Sequence, residues 1–489
     1  MKGIDMKRHL LLLIFLGAVV TANAEQRLNF VFFLADDISQ EDVGCYGHPS
    51  IKTPHIDRLA EEGRRFDQAY LTTSSCSPCR CSIITGRYPH NTGASELHNK
   101  LPKGQVMFPK LLQKAGYYTA LSGKHHMGNY VSTAFDWVSK GKGPGQEGDW
   151  VQIVQERPKN KPFFFWFAST DAHRPADLNE DAPIYDPEDM VVPPYMVDGP
   201  RTRFDLTTYA HEVSRFDHYV GLVVEELEKQ GVLDNTVIII TADNGRPFPR
   251  AKTRLYDSGV KTPFVVYHRG RIEPGSTRSL VSTIDISATV LDLAGLDKHE
   301  RIQGISFAPI LEDPTADIRD MVFAEHNWHL WTANERMVRF GDWLYIRNNF
   351  PNRENTAYET YDGGAGLELV AARKAGTLTE AQKNVFWNPC PEEELYQVSK
   401  DLHQVHNLAT NPEHTVVMNQ ARTLLQQWTE QTGDTVPKNP TTDYLQITDQ
   451  FVGYGILPMV KGQVNHPHLE LAGDAAGARN INHPGPIRF

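Results

Sequence analysis

Four short apolar runs in this sequence are each followed by side chains that can hold cations, hold anions or move protons. Asn29 to Ala35 runs into Asp36-Asp37, Tyr117 to Leu121 leads to Lys124-His125-His126, Phe163 to Ala168 to Asp171 and His173, and Thr236 to Thr241 to Asp243-Asn244. One such group would be an ordinary turn or helix cap, because Asp and Asn favour those positions. Four of them after apolar runs point to a shared site, since ligands of open α/β sheets sit beyond the carboxyl ends of the strands. Asp36, Asp37, Asp243 and Asn244 offer only oxygen atoms, a donor set that suits a hard cation such as calcium or magnesium and not zinc. Carboxylates held this close repel unless a cation neutralises them. His125, His126 and His173 could bind zinc, but no His-x-x-x-His spacing supports that alternative.

A second focus is the segment Thr72 to Thr92, which carries Cys76, Cys79 and Cys81. Pro78 can open a helix, and Cys76 then lies at its positive N-terminal end, where nucleophiles and anions are favoured. Arg80, one turn on, adds a fixed positive charge. Two plainer readings compete: a Cys76–Cys79 metal or redox pair, and simple buried cysteines. A redox pair would want a thioredoxin-like strand before it and a zinc site a second Cys or His pair nearby, and neither is present.

These residues need a scaffold, and the apolar runs read as buried parallel strands with helices between them. Thr53 and Pro54 open a helix that Gly63 closes. A longer helix is predicted from about Thr207 to Gln230, with Tyr209, Val213, Phe216, Val220, Val223 and Leu227 on one stripe and Gly231 as terminator. Alternating strand and helix means an α/β sheet covered on both faces. After about Asp313 the pattern changes, and Met337 to Tyr345 and the stretch around Leu395-Tyr396 read as short strands of a smaller α+β unit.

The chain has 489 residues and a formal net charge of −11, room for a large core and no composition for general binding to nucleic acid or a membrane surface. Residues 1–24 read as a secretory signal peptide, with a basic start, an apolar run from Leu10 to Val20 and Ala22-Asn23-Ala24 before Glu25. That run is shorter than the ~20 residues of a membrane span, so the mature protein is expected outside the cytosol, secreted or periplasmic. Five cysteines are few and odd in number for such a chain, so no disulfide scaffold is expected. The expected organisation is a catalytic domain over 25–313, a smaller subdomain over 314–438 and a wrapping or loosely ordered tail over 439–489.

Cys76-Ser77-Pro78-Cys79-Arg80, followed by Thr85-Gly86-Arg87, resembles the C-x-P-x-R signature of the type I sulfatases, whose cysteine is converted to formylglycine. Further matches run in that family's order: Asp36-Asp37, Gly123-Lys124-His125-His126-Met127-Gly128, His173, Asp243-Asn244-Gly245, and Lys252 before Tyr256-Asp257-Ser258-Gly259. The resemblance covers the chain from about Leu28 to Asn411. It implies an alkaline-phosphatase-like fold, a mixed sheet between helices with a smaller C-terminal α+β subdomain. It also implies one calcium ion held by Asp36, Asp37, Asp243 and Asn244, and a formylglycine-generating enzyme as partner. By the same resemblance Arg80 and His126 steady the hydrated formylglycine, while Lys124, Lys252 and His173 surround the sulfate. One oxygen of the hydrate attacks sulfur, the bridging atom leaves with a proton from His173, and the second hydroxyl expels sulfate.

Within the sulfatases the chain is most similar to the heparan N-sulfatases, through Asn244-Gly245-Arg246-Pro247-Phe248-Pro249, Arg254-Leu255-Tyr256, Glu96-Leu97-His98 and Asp171-Ala172-His173-Arg174. Lys252 departs from that subgroup, standing where arginine is expected in the animal enzymes, and a lysine is a point charge without arginine's planar fork. Glu96, His98, Asp171, Arg174, Glu325 and His326 are the candidate sugar contacts, although Glu325 and His326 equally fit a strand-end cap. The implied substrate is a sulfated saccharide cleaved from its end, N-sulfoglucosamine first and an O-sulfated sugar second. A phosphonate or phosphodiester hydrolase of the same fold and an inactive glycan-binding relative are the rival readings.

Overall fold

Asn29–Ala35 (β1) is buried along its whole length, and its alternate residues enter two different cores. Phe30, Phe32 and Leu34 belong to one, Val31, Phe33 and Ala35 to the other. A strand apolar on both faces is the inner strand of a sheet covered on both sides. The computed structural model describes residues 27–355, 357–438, 440, 441 and 443. The leader expected over 1–24 and nearly all of the tail expected from 439 lie outside the described residues.

The remaining strands of the first part of the chain are Arg64–Phe66 (β2), Ala69–Tyr70 (β3), Tyr118–Gly123 (β4), Trp137–Ser139 (β5), Phe163–Ala168 (β6), Thr236–Ala242 (β7), Phe264–Tyr267 (β8), Gly275–Thr277 (β9) and Val281–Ser282 (β10). Seven of them join β1 in one eight-stranded sheet in the order β5-β4-β6-β1-β7-β8-β2-β9, and β3 pairs with β10. From β5 to β7 every pair is parallel, and β8 runs antiparallel to β7, which makes the sheet mixed. Leu34 stands opposite Ala168 and Thr241, and Gly123 opposite Ala168, so the carboxyl ends of β1, β4, β6 and β7 finish level. β4 extends two residues past the predicted run, which places Lys124 directly at its end.

Helices Pro54–Glu62, Trp150–Glu156 and Pro200–Lys229 cover the Val31/Phe33 face, and Cys76–Thr85, Phe108–Lys114 and Asp285–Leu293 the Phe30/Phe32 face. The long helix begins a full two turns before the predicted start. Gly199 and Pro200 open it, and Glu368 accepts the N–H groups of Arg201 (3.1 Å) and Thr202 (3.0 Å), satisfying two first-turn donors from outside the helix. The apolar stripe read from the sequence marks only the part of this helix that faces the sheet.

Beyond the sheet lie Met321–His326 (β11), Glu335–Phe340 (β12), Trp343–Asn348 (β13) and Glu393–Gln397 (β14), an antiparallel sheet in that order. The single strand expected over Met337 to Tyr345 is two, because Gly341 takes a left-handed φ of 49° and turns the chain between Phe340 and Trp343. Helix Thr415–Thr432 packs Met418, Leu425 and Trp428 against Phe323, Val338, Tyr345 and Leu395, and Tyr88 and Ile284 of the larger part join the same cluster. Trp428 is fully buried, stacked on Phe323 at 5.1 Å and edge-on to Tyr88 at 5.2 Å. Trp428→Ala is expected to cost about 3–5 kcal/mol, read as a fall of several degrees in the thermal midpoint; an unchanged midpoint would contradict this packing.

Candidate active site

Because four strand ends finish level, the chain leaves the sheet at one edge with Asp36, Asp37, Lys124, Asp243 and Asn244. Asp37 adopts a left-handed φ of 59°, and its N–H donates to Asp243 Oδ1 at 3.3 Å. Helix Cys76–Thr85 delivers its first turn to the same place. Ser75 precedes it in extended conformation, and Pro78 lies in the first turn, where a missing N–H loses no hydrogen bond. Gly86 ends it at a φ of 66°, and a Cβ there would stand 2.0 Å from Ser287 Oγ. Cys76 Sγ sits 3.7 Å from Asp36 Oδ1 and 4.0 Å from Asp37 Oδ1, at 2% exposure. Cys79 and Cys81 lie in the apolar core, and all five cysteines are unpaired.

Asp36, Asp37, Asp243 and Cys76 bring their ligand atoms within 4.8 Å of one another. Three cationic side chains interleave with them. Arg80 Nε donates to Asp243 Oδ2 at 2.7 Å and Nη2 lies 3.8 Å from Asp36; Lys124 pairs with Asp36, and Lys252 Nζ with Asp37 at 2.7 Å. Burial raises the Asp36 carboxyl, but Lys124 and Arg80 outweigh it and hold this group below the ordinary range. Burial pushes the Asp243 carboxyl up to about 7 against the opposing Arg80. Asn244 donates its amide to Asp37 and, at 3.0 Å, to the Gly245 carbonyl, while its buried Oδ1 has no hydrogen-bond partner among the described residues. An orphaned amide oxygen beside three convergent carboxylates fits a hard cation. His126 Nε2 is instead 2.7 Å from His98 Nδ1, and no group of three metal-ligating side chains among the described residues contains His125, His126 or His173.

His173 Nδ1 lies 2.6 Å from the Arg174 carbonyl, which can only accept, so Nδ1 carries a proton and Nε2 is the atom left to exchange one. Lys252, then burial and Lys124, depress His173 to about 3; burial and then Lys124 depress His126 to about 2. Both imidazoles are neutral in the ligand-free molecule. Asp37, Cys76, His126, His173 and Lys252 share a pocket of about 240 Å³ with His98, Arg174, His329, Glu359 and Asp362. A more open depression, reaching Lys140 and Gln146, adjoins it across His126, His173 and Arg174.

Of the six expected sugar contacts, His98 and Arg174 line this pocket, Arg174 gripped by Asp205 and lying 4.7 Å over the Phe248 ring. The other four are not among the residues that line it. Asp171 is committed to Arg215 through two 2.7 Å bonds, and Glu96 accepts from Thr441. Glu325 is buried between His90 and Arg336, and His326 bonds Glu335 beside a separate small cavity. Sequence reasoning missed His329, Glu359 and Asp362, which enter from loops of the C-terminal part with no local motif to mark them.

The chain matches the family model described as Sulfatase over residues 28–145 and 149–296. It also matches the model described as N-sulphoglucosamine sulphohydrolase, C-terminal, over residues 250–362. It is 30% identical over 459 residues to the N-sulphoglucosamine sulphohydrolase of Homo sapiens, spanning 83% of this chain and 90% of that one. A second relative, an ulvan-active sulfatase of Formosa agariphila, is 28% identical over 454 residues, spanning 81% of this chain and 74% of the other. The fold aligns with a TM-score of 0.65 and 21% identity, over 84% of this chain and 99% of the other, to a protein solved in complex with its substrate D-glucosamine-2-N,6-O-disulfate.

The raised Asp243 carboxyl has a measurable consequence. Protonated Asp243 favours the metal-free fold, a contribution fully present below the ordinary carboxyl value and lost as pH rises through about 7. A hard cation bound there would have to displace that proton, so its binding is expected to tighten by up to about tenfold per pH unit between roughly pH 5 and 7 and to level off above. Calcium titrations followed by thermal shift check this, and a pH-independent midpoint would contradict it.

Proposed function

The chain belongs to the sulfatase family, and from that premise we propose that it is a calcium-dependent enzyme that takes one sulfate group from the end of a sulfated glycan, with N-sulfoglucosamine as the preferred sugar. One observation carries the reading: Cys76 lies at the floor of a small pocket, within 4.0 Å of two of the cation-binding carboxylates and among Arg80, Lys124 and Lys252. The match of residues 250–362 to the C-terminal model and the 30% identity to the human N-sulphoglucosamine sulphohydrolase support the choice of sugar. Lys252 favours an O-sulfated sugar as the second reading, since it lacks the fork expected of the animal sulfamidases.

Asp36, Asp37, Asp243 and Asn244 would hold the calcium ion, which would supply positive charge to the reacting groups beside residue 76. Formylglycine made from Cys76 supplies an oxygen nucleophile that the thiol cannot. Burial raises that thiol well above its ordinary value, so unmodified Cys76 is a poor thiolate. Lys124 and Lys252 are paired with Asp36 and Asp37 in the ligand-free molecule, and a cation on those carboxylates would leave both ammonium groups available to a sulfate. Arg80 keeps Asp243 oriented. His173, its tautomer set by the Arg174 carbonyl, gives a proton from Nε2 to the leaving atom, and the negative charge of bound sulfate offsets the two lysines that hold it neutral beforehand.

At 2% exposure inside a helix, Cys76 is out of reach of another enzyme in the folded protein, so the formylglycine-generating enzyme is expected to act on the unfolded chain. No helix among the described residues is long and apolar enough to cross a membrane, and an extracytoplasmic location after cleavage near Ala24 completes the proposal.

Cys76→Ala is expected to lower turnover by roughly four orders of magnitude or more with the thermal midpoint unchanged; retained activity removes the mechanism. Sulfate release from a panel of N-sulfated and O-sulfated saccharides tests the sugar, and cleavage confined to O-sulfated members overturns the N-sulfatase choice alone. His173→Ala should cost about 10²–10⁴-fold on a sulfamate and clearly less on an aryl sulfate, whose leaving group needs no proton. Equal losses on the two would contradict the assignment of His173 as the acid.

A further inference from the structure

Glu359 stands in the wall of the pocket with no part in the chemistry above. It sits in the short turn Tyr358–Thr360, is 4% exposed, and its buried Oε2 has no hydrogen-bond partner among the described residues. The charged groups that bear on it include Lys252, Arg174, Asp37 and Asp362, and both cations are already engaged, Lys252 by Asp37 and Arg174 by Asp205. The turn cannot easily swing away. Helix Gly363–Ala375 packs so closely on it that a Cβ on Gly366 would lie 2.7 Å from the Glu359 carbonyl oxygen. The N–H of Ala365 is in turn tied at 3.0 Å to Asp205, the residue that grips Arg174, and Arg174 packs beside Gly363 at the end of the same turn.

A buried carboxylate oxygen without a partner is costly, and this one belongs to a residue that lines the cavity that the reading above fills with a sugar. A sugar hydroxyl, amine or amide N–H supplies the missing donor. A second sulfate at the same position supplies only acceptor oxygens and a negative charge, which the Glu359 carboxylate repels. The two cations that line this pocket, Lys252 and Arg174, are already paired with Asp37 and Asp205.

Resting on the glycan-sulfatase reading, we propose that Glu359 sets the substrate class of this pocket: it accepts a hydrogen bond from a sugar that carries only the sulfate to be removed and rejects the same sugar when a second sulfate faces it. Glu359 thereby makes this enzyme act after, and not before, the activities that strip other sulfates from the same residue.

The test compares binding of a matched pair, N-sulfoglucosamine and its 6-O-sulfated form, by calorimetry on calcium-loaded protein. A Cys76→Ala background keeps binding separate from turnover, and pH 8 keeps Glu359 ionised, since burial pushes its carboxyl up to about 7. With Glu359 present, the singly sulfated sugar is expected to bind at least about tenfold tighter. Glu359→Gln, of the same shape but uncharged, should shrink that ratio by about tenfold or more, weakening the first sugar and strengthening the second. A ratio unmoved by Glu359→Gln, or equal losses for both sugars, overturns the proposal. Should that variant not fold, the protein with Glu359 intact still decides, because tighter binding of the disulfated sugar overturns it outright. Failure of the sulfatase reading would show separately, as absence of sulfate release from unmutated enzyme while these binding ratios stand.

Discussion

Three carboxylates and three cationic side chains share one buried volume at the ends of β1 and β7, and the architecture around them follows from that arrangement. Asp36, Asp37 and Asp243 are fully buried, and removing each charge from water costs several kcal/mol unless it is repaid locally. Arg80, Lys124 and Lys252 repay it in the ligand-free molecule. The balance is provisional: the same carboxylates suit a hard cation, and the same ammonium groups suit a sulfate. The pairings seen in the ligand-free molecule serve folding.

Holding that cluster together demands rigid supports, and the molecule invests its polar interior in them. Arg215 spans Asp171 and Glu212, fixing the segment that carries His173. The C-terminal part is pinned to the catalytic part through His90, Glu325, Arg336 and Asp434, all buried. Thr441 reaches Glu96, next to the pocket residues Leu97 and His98, and Asp443 takes the Thr332 N–H at 2.8 Å and pairs with Arg353. Such networks specify one arrangement more than they add stability.

Much of this was legible in the chain. β1, β6 and β7 are continuous apolar runs, and Asp36, Lys124, His173 and Asp243 stand close behind strands, so local pattern places them at one sheet edge. Pro78 and Gly86 bracket a helix whose first turn carries Cys76, which again is local information. What escaped was whatever depends on distant packing. Glu359 and His329 reach the pocket from the C-terminal part, far in sequence from the strands that carry the carboxylates, and nothing in their own neighbourhood marks them. Glu96, Asp171 and Glu325 drew notice by residue type, yet their carboxylates are spent on Thr441, Arg215 and Arg336. The start of the long helix was missed for a related reason: Glu368, remote in sequence, caps it.

The central claim is that residue 76 works as an aldehyde-derived oxygen nucleophile and not as a thiol, which its depth and its raised thiol already disfavour. Mass spectrometry of the proteolytic peptide carrying Cys76, from active protein of the native host, examines that atom by atom. The account predicts a peptide about 18 Da lighter than the unmodified sequence, blocked to thiol alkylation at residue 76 and reactive toward carbonyl reagents. Fully active protein whose peptide carries only an intact cysteine would contradict it.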